Sequence, residues 1–158
     1  MPGSGKTTLG KQLARLKAMD FVDLDIYIEQ KANTSIQDIF NTLGEDAFRL
    51  LEKQAVLDST KWTNTVVATG GGAPCFFDNM DQLNAHGLTI FIDVSTQELT
   101  RRVLGKGQNK RPLLANFKED ELYKGIFEKM NARLRFYTMA DICIKDNAAT
   151  VEDILNKI

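Results

Sequence analysis

The first eight residues, Met1-Pro2-Gly3-Ser4-Gly5-Lys6-Thr7-Thr8, constrain this chain more than any other stretch. Glycine at positions 3 and 5 permits backbone angles that a side chain would forbid. Successive N–H groups can then turn inward around an anion at a helix N-terminus. In that geometry Lys6 reaches the β- and γ-phosphates of a nucleotide and the Thr7 hydroxyl ligates Mg²⁺, with Gly3, Ser4, Gly5 and Thr8 completing the cradle. The full pattern is G-x-x-x-x-G-K-[ST]. Its first glycine falls one place before Met1, and no apolar strand leads in, so the match is partial. A helical pattern (Leu9, Leu13, Leu16) follows at once, which favours a phosphate loop over a polar start that merely precedes a helix.

Composition narrows the class. A chain of 158 residues suits one domain with a sizeable core. Its net charge of −1 gives no global field for nucleic acid or an anionic membrane, so neither partner is expected. Cys75 and Cys143 lack metal-type spacing and, with no apolar leader, suggest a reduced cytoplasmic setting in which both fill core or near-core space. No run is long and apolar enough to span a bilayer.

Helices and strands alternate along the chain. A helix is expected from about Lys6 to Lys17, with Gly10 marking close packing on a sheet. Asp20-Phe21-Val22-Asp23-Leu24-Asp25 reads as an extended run before a helix near 26–31, with Asp23 and Asp25 on one side. Two carboxylates there either hold a cation or donor between them, or form a solvated turn with a helix N-cap. Thr34 or Ser35 caps a short helix stopped at Gly44. A longer helix follows over about 45–59, with Phe48, Leu51, Ala55 and Leu57 as apolar contacts. Arg49 and Glu52 share a face of it, and on helix grounds alone they read as a surface ion pair of little worth.

The second half carries the same alternation. Thr65-Val66-Val67-Ala68-Thr69 reads as a buried parallel strand. It runs into Gly70-Gly71-Gly72, whose N–H groups can approach a ligand at the strand's carboxyl end. A helix near 78–86 ends at His86, a helix-end residue rather than a catalyst. Leu88–Val94 is the clearest strand, and Ser95 or Thr96 caps a helix through Arg101 and Arg102. The basic, glycine-containing segment at about 105–118 includes Arg111 beside Pro112, and reads either as a closing lid with a phosphate clamp or as a solvated loop. Glu119 to about Thr138 is a helix with Arg133 and Tyr137 on one face. The two arginines near its end also suit the helix dipole without any ligand. A strand over 141–145 and a helix over 151–158 close the chain. The whole reads as a three-layer α/β/α fold with a parallel sheet, four strands being legible.

Taken together, Gly-Ser-Gly-Lys-Thr-Thr, Asp-Leu-Asp, Phe-Arg-Leu-Leu-Glu, Thr-Gly-Gly-Gly, Arg-Pro-Leu-Leu and Arg-x-x-x-Tyr closely resemble shikimate kinase over nearly the whole chain. The resemblance implies a P-loop kinase fold of the nucleoside-monophosphate-kinase type with a five-stranded parallel sheet. It implies ATP- and Mg²⁺-dependent phosphorylation of the shikimate 3-hydroxyl, on the way to chorismate and aromatic amino acids, by a monomer. By position, Lys6 would hold ATP phosphates, and Thr7 and Asp23 would serve the metal. Asp25 would bind the substrate hydroxyls and orient or accept the transferring proton. Arg49 and Arg133 would grip the shikimate carboxylate, which a guanidinium fork suits. Gly71 and Gly72 would bring backbone donors to the ring, Arg111 would neutralise the γ-phosphate from the lid, and Arg102 would lie against the adenine.

One departure from the pattern is plain. The family begins with a buried strand and the glycine that opens the loop, and here Met1 sits inside the motif. The start is therefore expected to be internal to a natural chain, or the chain to be an incomplete version. Without that strand, two neighbours keep unpaired backbone groups and the core keeps a gap. A different small-metabolite P-loop kinase, such as a gluconate-type enzyme, fits the arginines and glycine triplet less well. A non-catalytic nucleotide-binding relative fits poorly with a full set of side chains.

Overall fold

The computed structural model describes residues 1–105 and 119–158. Helices α1 (Lys6–Leu16), α2 (Leu24–Ala32), α3 (Ile36–Ser59), α4 (Asn79–His86), α5 (Thr96–Gly105), α6 (Glu119–Tyr137) and α7 (Val151–Leu155) alternate with strands β1 (Asp20–Asp23), β2 (Thr65–Ala68), β3 (Ile90–Asp93) and β4 (Ile142–Lys145). A 3-10 turn occupies Ala73–Cys75. All strand pairing is parallel, as an alternating α/β order requires.

The sheet differs from a single four-stranded one. β1 pairs with β2 and β3 with β4, as two separate two-stranded sheets. A cavity of about 890 Å³ is lined by Val66, Val67 and Ala68 of β2 and by Ile90, Phe91 and Ile92 of β3. The expected gap is thus present, and among the described residues β2 and β3 each pair along one edge only.

Both faces are nevertheless covered. Alternation sends Val66 into one apolar cluster, with Leu9, Leu13, Ile92, Leu99 and Ile126, and Val67 into another, with Leu24, Ile28, Phe48 and Val56. That is the three-layer arrangement read from the sequence. Gly10 is a close-packing site: a Cβ there would lie 2.8 Å from the Phe21 ring.

Several boundaries moved for physical reasons. Asp25 lies in the first turn of α2 instead of on the strand, because the Asp23 side chain caps that helix by accepting from the Asp25 N–H at 3.1 Å. Ser35 caps α3, which breaks at Gly44, where φ is 83°. Leu16 is exposed despite its helical spacing, and Val56 rather than Leu57 is fully buried. Cys143 faces solvent on β4, and only Cys75 is partly enclosed. His86 ends α4 with its Nδ1 against the Gln82 carbonyl oxygen at 2.9 Å, as a helix-end residue should.

Candidate active site

At one end of α1, Gly5 takes φ 92° and supplies the turn into the helix. Lys6 folds back over the loop, its Nζ donating to the Met1 carbonyl at 2.9 Å and to Ser4 Oγ at 3.4 Å. The Thr7 hydroxyl donates to Asp23 Oδ2 at 2.9 Å. Asp23 therefore has both roles open to it from sequence: it caps α2 and faces the loop. A hydroxyl and a carboxylate side by side form an oxygen donor pair suited to a hard cation that keeps most of its waters. The loop also borders a cavity of about 580 Å³, lined by Gly3, Gly5, Thr8, Gln12, Arg102 and Thr150 among others. Arg102 bridges its rim. Its Nη1 donates to the Gly3 carbonyl at 3.1 Å, its Nη2 to the Asn147 carbonyl, and its Nε to Glu98 at 2.7 Å. Hydrogen bonds from Arg101 and Arg102 hold the Glu98 carboxyl down at about 2.

The glycine triplet after β2 gathers the other candidates. A Cβ at Gly70 would stand 2.6 Å from Asp25 Oδ1 and 3.2 Å from Glu52 Oε1. At Gly71 it would stand 3.5 Å from Arg133 Nη1, and at Gly72 it would stand 2.5 Å from Arg49 Nη1. Asp25, Arg49 and Arg133 thus converge on the triplet, with Glu52 also against Gly70 and the Met1 backbone against Gly71. Any side chain at Gly70 or Gly72 would displace that constellation.

Arg49 is held on several sides. Its Nη1 donates to Glu52 at 2.7 Å, and its Nε and Nη2 donate to Glu45 at 3.1 and 2.7 Å. The Arg49–Glu52 pair is buried, with side chains 10% and 2% exposed, so the surface reading of it is wrong. Helix spacing put the two on one face but could not show that Gly70 and Gly72 cover that face. Burial raises the Glu52 carboxyl above its ordinary range, while Arg49 pulls the other way. For Arg49, burial opposes the charge but the bonds to Glu45 and Glu52 outweigh it and raise its pKa.

Tyr137 had no assigned role. Its hydroxyl donates to the Gly71 carbonyl at 2.6 Å. Because a trans peptide sets C=O and the next N–H in opposite directions, that bond fixes the heading of the Gly72 N–H. Burial pushes the Tyr137 hydroxyl up to about 12. Arg111 lies outside the described residues, as does nearly all of the expected lid.

The family model for shikimate kinase matches residues 2–158. The chain belongs to the shikimate kinase family. A curated shikimate kinase from Parabacteroides distasonis is 43% identical over 140 residues, covering 89% of this chain and 80% of that one. A second, from Bacteroides thetaiotaomicron, is 41% identical over 151 residues, covering 96% and 85%. Among solved structures, a shikimate kinase from Bacteroides thetaiotaomicron superposes with TM-score 0.89 at 37% identity, covering 98% of this chain and 90% of that one. Another, from Acinetobacter baumannii in complex with shikimate, gives TM-score 0.85 at 30% identity, covering 99% and 86%.

Proposed function

We infer that this shikimate kinase transfers the γ-phosphoryl group of ATP to the shikimate 3-hydroxyl across the hollow between the phosphate loop and Gly70–Gly72. The observation that carries this reading is the convergence of Asp25, Arg49 and Arg133 on the glycine triplet. Family membership supplies the overall reaction, and the geometry supports the roles of individual residues.

Bound ATP with Mg²⁺ supplies the phosphoryl group and a positive centre for its charge. The protein's task is alignment and electrostatic stabilisation, because the transfer asks for little covalent chemistry from side chains. Gly3, Ser4, Gly5 and Thr8 present backbone and hydroxyl donors to the phosphates, and Lys6 leaves its carbonyl contact to join them. Thr7 and Asp23, whose oxygens lie side by side, would hold the metal. Arg49 and Arg133 grip the carboxylate of shikimate, and the Gly71 and Gly72 amides meet its ring hydroxyls. Asp25 orients the attacking hydroxyl and takes its proton. Arg102 packs against the adenine. The role given to Arg111, neutralising the γ-phosphate from a lid at about 105–118 of this single domain, rests on sequence pattern alone.

We further propose a cytoplasmic monomer without nucleic-acid or membrane partners. No helix among the described residues is long and apolar enough to cross a membrane. Coupled measurement of ADP release tests the central assignment. Release should depend on shikimate and be absent with gluconate or without an acceptor. Release that ignores the acceptor would refute it.

A further inference from the structure

Arg49 carries an aromatic plate that the sequence pattern does not announce. Its guanidinium carbon lies 4.0 Å from the centre of the Phe76 ring, van der Waals stacking distance, and 5.1 Å from that of Phe48. The chain is shaped to put Phe76 there. Hydrogen bonds from Ala73 N–H to the Gly70 carbonyl (3.2 Å) and from Cys75 N–H to the Gly72 carbonyl (2.8 Å) coil the segment after the triplet. The buried Asn79 ties it off, its Nδ2 donating to the Ala73 carbonyl at 2.8 Å. Phe76 is then extended, while Phe77 takes φ 53°, so the two rings diverge. Phe77 stays exposed over Lys53, one helical turn beyond Arg49, at 5.0 Å, and Lys53 pairs with Asp78 at 3.3 Å. Two cations four residues apart on α3 are thus met by two consecutive aromatics, one pair inside and one outside.

We propose that Phe76 is a positioning residue for carboxylate recognition: its ring fixes the plane of the Arg49 guanidinium so that the fork faces the substrate's carboxylate. The inference rests on the role given to Arg49 above. A guanidinium has five N–H donors. Among the described residues Arg49 directs three hydrogen bonds to Glu45 and Glu52, which leaves two N–H groups for a ligand. Bidentate recognition needs those two to share a plane with the carboxylate. The buried Glu52 meets one donor and so fixes a point and not a plane, while Glu45, which meets two, is more than half exposed and anchors weakly. A ring stacked on a buried guanidinium holds the plane and favours the charge without consuming a donor.

The test is steady-state kinetics on the full chain. Phe76→Leu should raise the KM for shikimate about tenfold, with kcat and the KM for ATP unchanged within about twofold. Phe76→Tyr, which keeps the π face, should restore the KM. Phe77→Leu, outside the site, should change nothing. Phe76→Met is read in the same way if Phe76→Leu does not fold. With the uncharged carboxamide of shikimate, parent and Phe76→Leu should show equal KM. A loose core would not produce a penalty tied to the charged substrate, so an equal penalty on both substrates overturns the inference. So does an unchanged shikimate KM in Phe76→Leu while Arg49→Ala raises it steeply. An unchanged KM in Arg49→Ala would instead remove the reading of Arg49 itself.

Discussion

The two sides of the site are built from different materials. On the acceptor side, side chains hold one another: Arg49 lies among Glu45, Glu52 and two aromatic rings, and Tyr137 fixes the Gly71 carbonyl. On the phosphate side, the groups proposed to meet the nucleotide are mostly backbone amides of a loop, and Met1, Ser4 and Lys6 of that loop also line the cavity of about 890 Å³ between β2 and β3. Packing preorganises the first side, while the second leans on a sheet that is open along its middle. Substrate selection should therefore be robust in this chain, and nucleotide binding should be sensitive to whatever stiffens the sheet.

The strongest separation of the two sides comes from Asp25→Asn. It keeps the shape and the triplet's clearance but removes the proposed proton acceptor, so kcat should fall by about 10²–10⁴. The KM for ATP should stay within a few-fold. Normal turnover, measured by coupled ADP release, would break the assignment of Asp25.

Next in size is an effect on the phosphate side alone. A strand-length apolar segment fused ahead of Met1, roughly five or six residues plus a short lead, can pair with the inward edges of β2 and β3. The melting temperature should rise by about 5 °C or more and the KM for ATP should fall, with the shikimate KM little changed. Equal melting temperature and equal ATP KM would show that the gap does not matter to the loop.

The acceptor side has its own pH signature. Tyr137 titrates at about 12 in the fold against an ordinary 10.0. Between those values the unfolded chain releases a proton that the folded chain keeps, so stability is full below pH 10 and falls as pH rises towards 12. The loss amounts to about 2–3 kcal/mol. Tyr137→Phe should flatten that part of the curve in urea unfolding at stepped pH, and an unchanged slope would contradict the burial argument.

The smallest effect concerns Glu45. Its carboxylate takes the Nε and Nη2 donors of Arg49, so its charge lies near the two N–H groups left for an incoming carboxylate and repels it. An exposed pair four residues apart on a helix is worth about 0.3–0.5 kcal/mol. Glu45→Gln should therefore lower the shikimate KM about twofold. A rise would mean that Glu45 helps to hold the fork.

Much of this was legible before the fold. Among the described residues, periodicity and caps located the strands and α-helices to within a few positions but not the 3-10 turn at Ala73–Cys75, and Ser35, Gly44 and Gly10 did what their chemistry suggests. The phosphate loop, Asp23, Asp25 and the triplet were visible because special residues stood at fixed intervals. Other features depend on contacts far apart in sequence. Spacing on α3 placed Arg49 beside Glu52, but only the approach of Gly70 and Gly72 buries the pair. No periodicity or motif singles out Phe76, and its place over Arg49 depends on a coil of local hydrogen bonds and on one left-handed residue, Phe77. Tyr137 shared a face with Arg133, yet its partner is a backbone carbonyl 66 positions away. The split into two sheets shows only in the fold, where a cavity of about 890 Å³ parts β2 from β3 among the described residues.

A crystal structure of the chain with shikimate and ADP tests the central claim most directly. The carboxylate should lie within hydrogen-bond distance of both Arg49 and Arg133, with the 3-hydroxyl on Asp25 and the nucleotide's phosphates on Gly5–Thr7. A carboxylate bound away from the two arginines, or a 3-hydroxyl turned from Asp25, would contradict it.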